Sequence, residues 1–219
     1  MELDINSFDY QRLRDFCKRE GKKVRFHKGE QMEHEGIPSQ WFAFVEKGYF
    51  KYVTKDAIDD KEHIIRFSFE NEFVGDYPGC LYNHPAQSTI EAMTYSRVYR
   101  VSREQLLNMF HQNMENMELR SQLDEYLLHQ SYAIFQEFHV SSPRERYQLL
   151  IQRYPDIQKQ LSLKAIASFL NITPKTLSVI RHDITFEKES TRYGSIGHCG
   201  RLSMVHDDQC PFWDALSVP

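Results

Sequence analysis

The hydrophobic period changes at Ser102, and that change separates a stretch built for sheets from a stretch built for helices. From Lys22 to Val101, aromatic and β-branched residues alternate with polar ones in KKVRFHKGEQM, WFAFVEKGYFKYVTK, KEHIIRFSFENEFV and STIEAMTYSRVYRV, the texture of half-buried strands. Lys47-Gly48 and Asp59-Asp60 supply turns, and WFAFVEKGYFKYV reads as a hairpin with Gly48 at its bend. The expectation is an antiparallel β domain of jelly-roll or Greek-key type, preceded by a short helix over residues 7–20.

After Ser102 the pattern is helical. SREQLLNMFHQNMENMELRSQLDEYLLHQSYAIFQEF opens on a Ser-x-x-Gln capping box and runs to Phe138 without Gly or Pro. Its Asn- and Met-rich middle, 108–118, is weakly periodic and points to two helices. Leu119, Leu123, Leu127 and Tyr132 belong to a later part more apolar than one flank of a small domain requires. They are the candidate dimer face. Ser142 then caps a helix that has Pro143 in its first turn.

The segment LSLKAIASFLNITPKTLSVIRHD, 161–183, has the requirements of a helix-turn-helix. Ser162 and Thr173 are N-cap residues, and Pro174 sits where a missing N–H costs nothing. Ala167 is small at the crossing, and Asn171 tolerates the left-handed backbone of a tight turn. With Ile166, Leu170, Ile172, Leu177, Ile180 and Ile184 pointing inward, Lys175, Ser178, Val179 and His182 share the other face of the second helix. An ordinary helical hairpin shows the same aliphatic spacing, so charge has to decide between them.

Net charge is -4 over 219 residues, which on its own argues against nucleic acid. Its distribution argues for it. Residues 141–182 hold seven Lys and Arg (Arg144, Arg146, Arg153, Lys159, Lys164, Lys175, Arg181) against Glu145 and Asp156, whereas the flanking stretches are acidic. A basic module in an acidic chain suits phosphate contact without indiscriminate binding.

Other classes fare less well on the sequence. No 18-residue apolar run is present and MELDINSFDYQRLRD is acidic, so a cytoplasmic protein with no membrane partner is expected. Cys17, Cys80, Cys199 and Cys210 lack CxxC spacing and are read as reduced thiols. A cupin-like metalloenzyme would want an HxH pair with a nearby carboxylate. His27, His34, His63 and His84 form no such pair, so no metal and no catalytic residue is expected.

A β-roll, a long helix and then HVSSPRERYQLLIQRYPDIQKQLSLKAIASFLNITPKTLSVIR resemble the Crp/Fnr family of transcription regulators, most of all the branch common in Bacteroidetes. Gly48, the FVGD step at 73–76, the SREQL step at 102–106 and the C-terminal motif occur in family order. The resemblance covers residues 10 to about 184. It implies an α+β chain: an N-terminal antiparallel β-roll (a jelly roll, or double-stranded β-helix), a long dimerisation helix and a C-terminal winged helix-turn-helix. The corresponding domains are 1–102 for the sensor, 103–140 for the linker and dimer helix, 141–184 for the DNA-binding part and 185–219 for an atypical tail, with a wing hairpin or a poorly ordered extension around 192–205.

The resemblance further implies a homodimer on a two-fold operator in double-stranded DNA, with RNA polymerase as a further candidate partner. Carried over by position, Pro174, Lys175, Ser178 and Val179 approach bases, and Lys164, Thr173, Thr176 and Arg181 approach phosphates, with His182 on the same face. Relatives commonly have an Arg where Val179 stands. In the sensor, Gly75 and Asp76 occupy the place of a Gly-Glu step that holds a cyclic nucleotide, and Ser88 and Thr89 offer hydroxyls. Gln87 or a neighbour takes the phosphate-binding Arg position, and no Arg lies between Arg66 and Arg97. Burying a phosphodiester without a cation is costly, so cyclic AMP is not the expected effector. The family's iron-sulfur sensors need several N-terminal cysteines, and only Cys17 precedes Cys80. The expectation is therefore no cofactor, with an unknown small molecule as the candidate effector. A competing reading keeps the roll and the dimer but gives the helical module a protein partner instead of DNA.

Overall fold

The computed structural model describes residues 9–56, 61–77 and 79–194, with side-chain detail as far as residue 187. It has two compact units, Met1–Phe135 and Gln136–Pro219.

The first unit opens with α1 (Tyr10–Glu20), whose first turn is capped by the Asp9 carboxylate accepting from Arg12 N. Eight strands follow: β1 (Lys22–Phe26), β2 (Gln31–Glu33), β3 (Trp41–Lys47), β4 (Phe50–Lys55), β5 (Glu62–Ser68), β6 (Phe73–Val74), β7 (Thr89–Ala92) and β8 (Ser96–Ser102). The short α2 (Gly79–Tyr82) lies between β6 and β7 in sequence, and α3 (Arg103–His111) and α4 (Met114–Val140) come after β8. Every pairing is antiparallel, in two four-stranded sheets of order β1-β8-β3-β6 and β2-β7-β4-β5.

Phe26, Val45 and Val98 of the first sheet meet Phe50, Tyr52 and Ile90 of the second in one buried cluster. Phe42 and Phe44 point the opposite way, into a second cluster with Leu13 and Phe16 of α1, Leu106 and Phe110 of α3, and Leu119 and Leu123 of α4. The first sheet is thus covered on both faces. That is why WFAFV is a continuous apolar run, while β5 keeps an exposed side.

Four segments differ from the sequence expectation in one way. The hairpin expected at Gly48 is a corner: β3 pairs with β6 and β8, whereas β4 pairs with β5 and β7 in the other sheet. KKVRFHKGEQM, KEHIIRFSFENEFV and STIEAMTYSRVYRV, each read as one strand, likewise split into β1 and β2, into β5 and β6 and into β7 and β8, one in each sheet. Alternation specifies which side chains are buried, not which sheet receives them. At the corner Gly48 has φ +84°, and a Cβ there would stand 2.3 Å from Ser96 Oγ and 2.9 Å from Ser96 Cα. Only glycine serves both the conformation and the approach.

The second unit contains α5 (Pro143–Arg153), α6 (Ile157–Gln160), α7 (Leu163–Phe169) and α8 (Pro174–Gly194). Ser142 and Glu145 form the capping box of α5. The boundary expected at 184 falls inside α8, because nothing from Thr185 to Tyr193 breaks a helix. Of the wing region expected around 192–205, residues 192–194 are helical and the rest lies outside the described residues. No helix among the described residues is long and apolar enough to cross a membrane.

The Gly48 corner sets a measurable contrast with Gly29, which has φ +88° but open space around it. Gly29→Ala should cost about 1 kcal/mol for the left-handed backbone alone. Gly48→Ala adds the collision with Ser96 and should cost at least ~2 kcal/mol. Equal urea midpoints for the two variants would contradict the close approach.

Candidate functional site

The sensor candidates come together beyond the end of β6. Gly75 has φ +154°, and a Cβ there would meet Trp41 O at 2.9 Å, so the chain passes where a side chain cannot. Its N–H donates to Tyr52 Oη at 3.1 Å, and Tyr52 Oη lies 3.2 Å from Ser68 Oγ. The amide a ligand would need is therefore occupied by a tyrosine from the opposite sheet. Asp76 accepts from the backbone N–H of Gln87, and burial raises its pKa. Its Oδ2 is buried with no hydrogen-bond partner. Ser88 is buried, Gln87 is exposed, and Thr89 Oγ1 accepts from Glu35 N at 3.2 Å. The Gly75-Asp76 step and Gln87, joined by the Asp76 hydrogen bond, make a cradle that presents a carboxyl where a cyclic phosphodiester would want a cation.

Glu33 is a part of this region that the sequence did not single out, since it stands just past KKVRFHKGEQM in the charged stretch EHEG. It is only 5% exposed, accepts from Ser39 Oγ at 3.1 Å and Trp41 N at 3.3 Å, and is pushed up to about 7 by burial. The Gln40 amide and these two donors favour its charged form, while Asp76 nearby opposes it. Strand parity would put Glu33 on the same side as the exposed Gln31, and the irregularity between them breaks that parity. Cys17 and Cys80 are buried thiols, each pushed up to about 12 by burial. Cys199 and Cys210 lie outside the described residues. Among the described residues, no group of three or more His, Cys, Asp and Glu is placed to hold a metal.

The helix-turn-helix elements are where their caps put them. Ser162 Oγ accepts from Ala165 N at 3.2 Å to start α7, and Thr173 Oγ1 accepts from Thr176 N at 3.1 Å to start α8. Asn171 has φ +53° and makes the turn, closed by Ile172 N donating to Ala167 O at 3.0 Å. Ile166, Ala167, Leu170, Leu177, Ile180 and Ile184 are buried, and Ile172 is partly so. Lys164, Thr173, Pro174, Lys175, Thr176, Ser178, Val179 and His182 are all exposed. Ser178 Oγ donates to Pro174 O at 3.0 Å, and Arg181 is held by Gln158 Oε1 at 2.9 Å. Asp183 reaches His182 Nδ1 at 3.5 Å, so the acid-free stretch ends there.

Charge pairing trims the basic excess. Arg153 binds Glu137 at 2.6 Å, Lys159 binds Asp156 at 2.7 Å, and Arg144 pairs with Glu187. Arg146 is spent on the backbone carbonyls of Ser141 and Leu170, over the Phe138 ring. Glu137 and Glu187 lie just outside the window that was counted on the sequence. Lys164 and Lys175 keep no ionic partner among the described residues.

Two of the four residues read as a dimer face are not available to a partner. Leu119 and Leu123 are buried in the first unit's own core, and Leu127 packs against it. Tyr132 is exposed as expected, and Leu128, 72% exposed, and Phe135 join it at helical spacing. Leucines on a long helix cannot be apportioned between an intrachain core and a partner without knowing where the sheet lies.

Residues 23–113 match the model of the cyclic nucleotide-binding domain. No curated protein matches the chain in sequence. Among solved structures, FixK2 from Bradyrhizobium japonicum superposes with a TM-score of 0.62 at 16% identity, covering 77% of this chain and 86% of that one. A mutant of CooA from Carboxydothermus hydrogenoformans gives 0.57 at 18%, covering 79% of each chain. The c-di-GMP-responsive global regulator CLP of Xanthomonas campestris gives 0.53 at 14%, covering 82% of this chain and 93% of that one. The N-terminal unit is thus a cyclic-nucleotide-binding-type roll, and the chain has the fold of Crp/Fnr-type regulators.

Glu33 yields a signed pH dependence. Its folded value of about 7 lies above the ordinary 4.5, so the stability it contributes is full below about 4.5 and is lost as pH rises through about 7. Glu33→Gln should remove up to ~3 kcal/mol of the decline in unfolding free energy between pH 5 and 8. Parallel profiles for the two proteins would show that the carboxyl is hydrated.

Proposed function

We propose that the chain is a homodimeric, sequence-specific DNA-binding transcription regulator whose roll does not answer to cyclic AMP. The observation that supports it most is the α7–α8 pair, in which a capped, left-handed turn sets an exposed face of Lys175, Ser178, Val179 and His182 on the second helix. Phosphate contact falls to Lys164, Thr173, Thr176 and Arg181, and base contact to Pro174, Lys175, Ser178 and Val179. Val179, 54% exposed, suits a thymine methyl where an Arg would read guanine. With Arg144, Arg153 and Lys159 paired to carboxylates and Arg146 bound to backbone carbonyls, affinity rests on few phosphate contacts per subunit. Two recognition helices about 34 Å apart are then needed for a useful site.

In the roll, three features weigh against cyclic AMP. The Gly75 amide is taken by Tyr52, Asp76 presents a desolvated carboxylate, and no Arg lies between Arg66 and Arg97. An effector of other chemistry would act through its differential affinity for two arrangements of the dimer. The role is binding rather than catalysis, with RNA polymerase as a further partner if the protein activates. A protein-binding module is the second reading, favoured by the apolar Val179 in the middle of the face.

Two measurements bear on this. Lys175→Ala should weaken binding to a generic 30-base-pair duplex and lower the log–log salt slope by about 1 per subunit. An unchanged slope would remove Lys175 from the interface. Leu128→Asp and Tyr132→Asp should each give monomers by light scattering while leaving the first unit folded, because neither side chain is buried in its core. Dimers in both variants would place the interface away from α4.

A further inference from the structure

One edge of the roll carries charge that the fold leaves uncancelled. In the β1–β8 ladder Lys22 stands opposite Arg100, and Arg25 opposite Arg97. Like charges directly across a ladder are destabilising unless a counter-charge intervenes. On the outer face Glu46 does so, in contact with Lys23 Nζ and Arg97 Nε, each at 2.9 Å. On the inner face no ion pair among the described residues does so, although Glu33 acts on Arg100 from nearby. Val98 is buried between the sheets, so Arg100 two residues on shares its inward side, and register brings Lys22 to the same side.

Arg100 lies 3.8 Å over the Trp41 ring, and its Nε is buried with no hydrogen-bond partner. Burial lowers its pKa, opposed by Glu33. An unpaired buried donor on a charged group is among the more expensive defects a fold can keep. Cations on an edge strand are common as protection against strand pairing, and that accounts for Lys23 and Arg25. It does not account for Arg100, which lies on an interior strand and is half-buried. Lys22, Lys23, Val24, Arg25 and Arg100 line an open groove of about 410 Å³, within the usual range for small-ligand sites.

We propose that this groove binds a small polyanion, a molecule of metabolite size carrying phosphate or several carboxylates, with Arg100 and Lys22 as its charge partners. Trp41 covers one face of the guanidinium, and a guanidinium lining a groove can match an oxyanion with paired hydrogen bonds. Lys22 supplies a second charge from the facing strand position. Arg100 lies beyond the Arg-free stretch between Arg66 and Arg97, and β8 brings it to the groove.

The test is thermal unfolding of the full chain titrated with pyrophosphate and, separately, citrate, against sodium chloride at matched ionic strength. A saturable rise in melting temperature with either polyanion and none with chloride is expected; pyrophosphate alone would assign phosphate chemistry, citrate alone carboxylate chemistry. Lys22→Gln, an exposed and fold-neutral change, should weaken the apparent dissociation constant about tenfold, corresponding to ~1.4 kcal/mol. Arg100→Met should abolish the rise. Stabilisation that tracks ionic strength alone, or an affinity unchanged in Lys22→Gln, would overturn the assignment.

Discussion

The apolar slot between the two sheets is the constraint on which the first unit depends. Phe26, Val45 and Val98 fill it from one side and Phe50, Tyr52 and Ile90 from the other. Because successive strands, apart from the paired β4 and β5, enter it from opposite sheets, the chain must turn a corner wherever a simple hairpin would have kept it in one sheet. Gly48 against Ser96 is the tightest of these corners. The same slot carries Tyr52 to the Gly75 amide and leaves Arg100 and Lys22 on its open margin. The cradle and the groove are thus two consequences of one packing problem.

Much of the second unit was legible in the sequence because its signals are local. Ser142 with Glu145, Ser162, Thr173 before Pro174, and Asn171 each act within four residues, and each does in the structure what its chemistry allows. The first unit was legible only in part. Alternation gave the strands, but the pairing of β3 with β8 or β4 with β7 joins residues as far apart in sequence as Trp41 and Ser102 or Phe50 and Ala92, and nothing in a short window records that.

The candidate site follows the same division. The exposed face of α8 could be read from helical spacing alone. Leu119 and Leu123 could not be assigned to core or partner, because both uses require the same residue type at the same spacing. The charge excess over 141–182 overstates the free charge, since Glu137 and Glu187 reach into the module from outside it. Glu33 and Arg100 were invisible for a related reason. A charged residue on a short strand reads as solvated until the opposite sheet is known to cover it.

The central claim is that α8 reads DNA as one of a symmetric pair. It is tested most directly by selection of the purified protein on random duplex DNA at moderate salt, with and without cyclic AMP, followed by sequencing of the bound pool. The account predicts enrichment of a two-fold symmetric site with half-sites one helical turn apart, and the same enrichment in both conditions. Enrichment that requires cyclic AMP would contradict the reading of the cradle. A pool with no enriched site in either condition would contradict the assignment of α8 to DNA and favour a protein partner on that face.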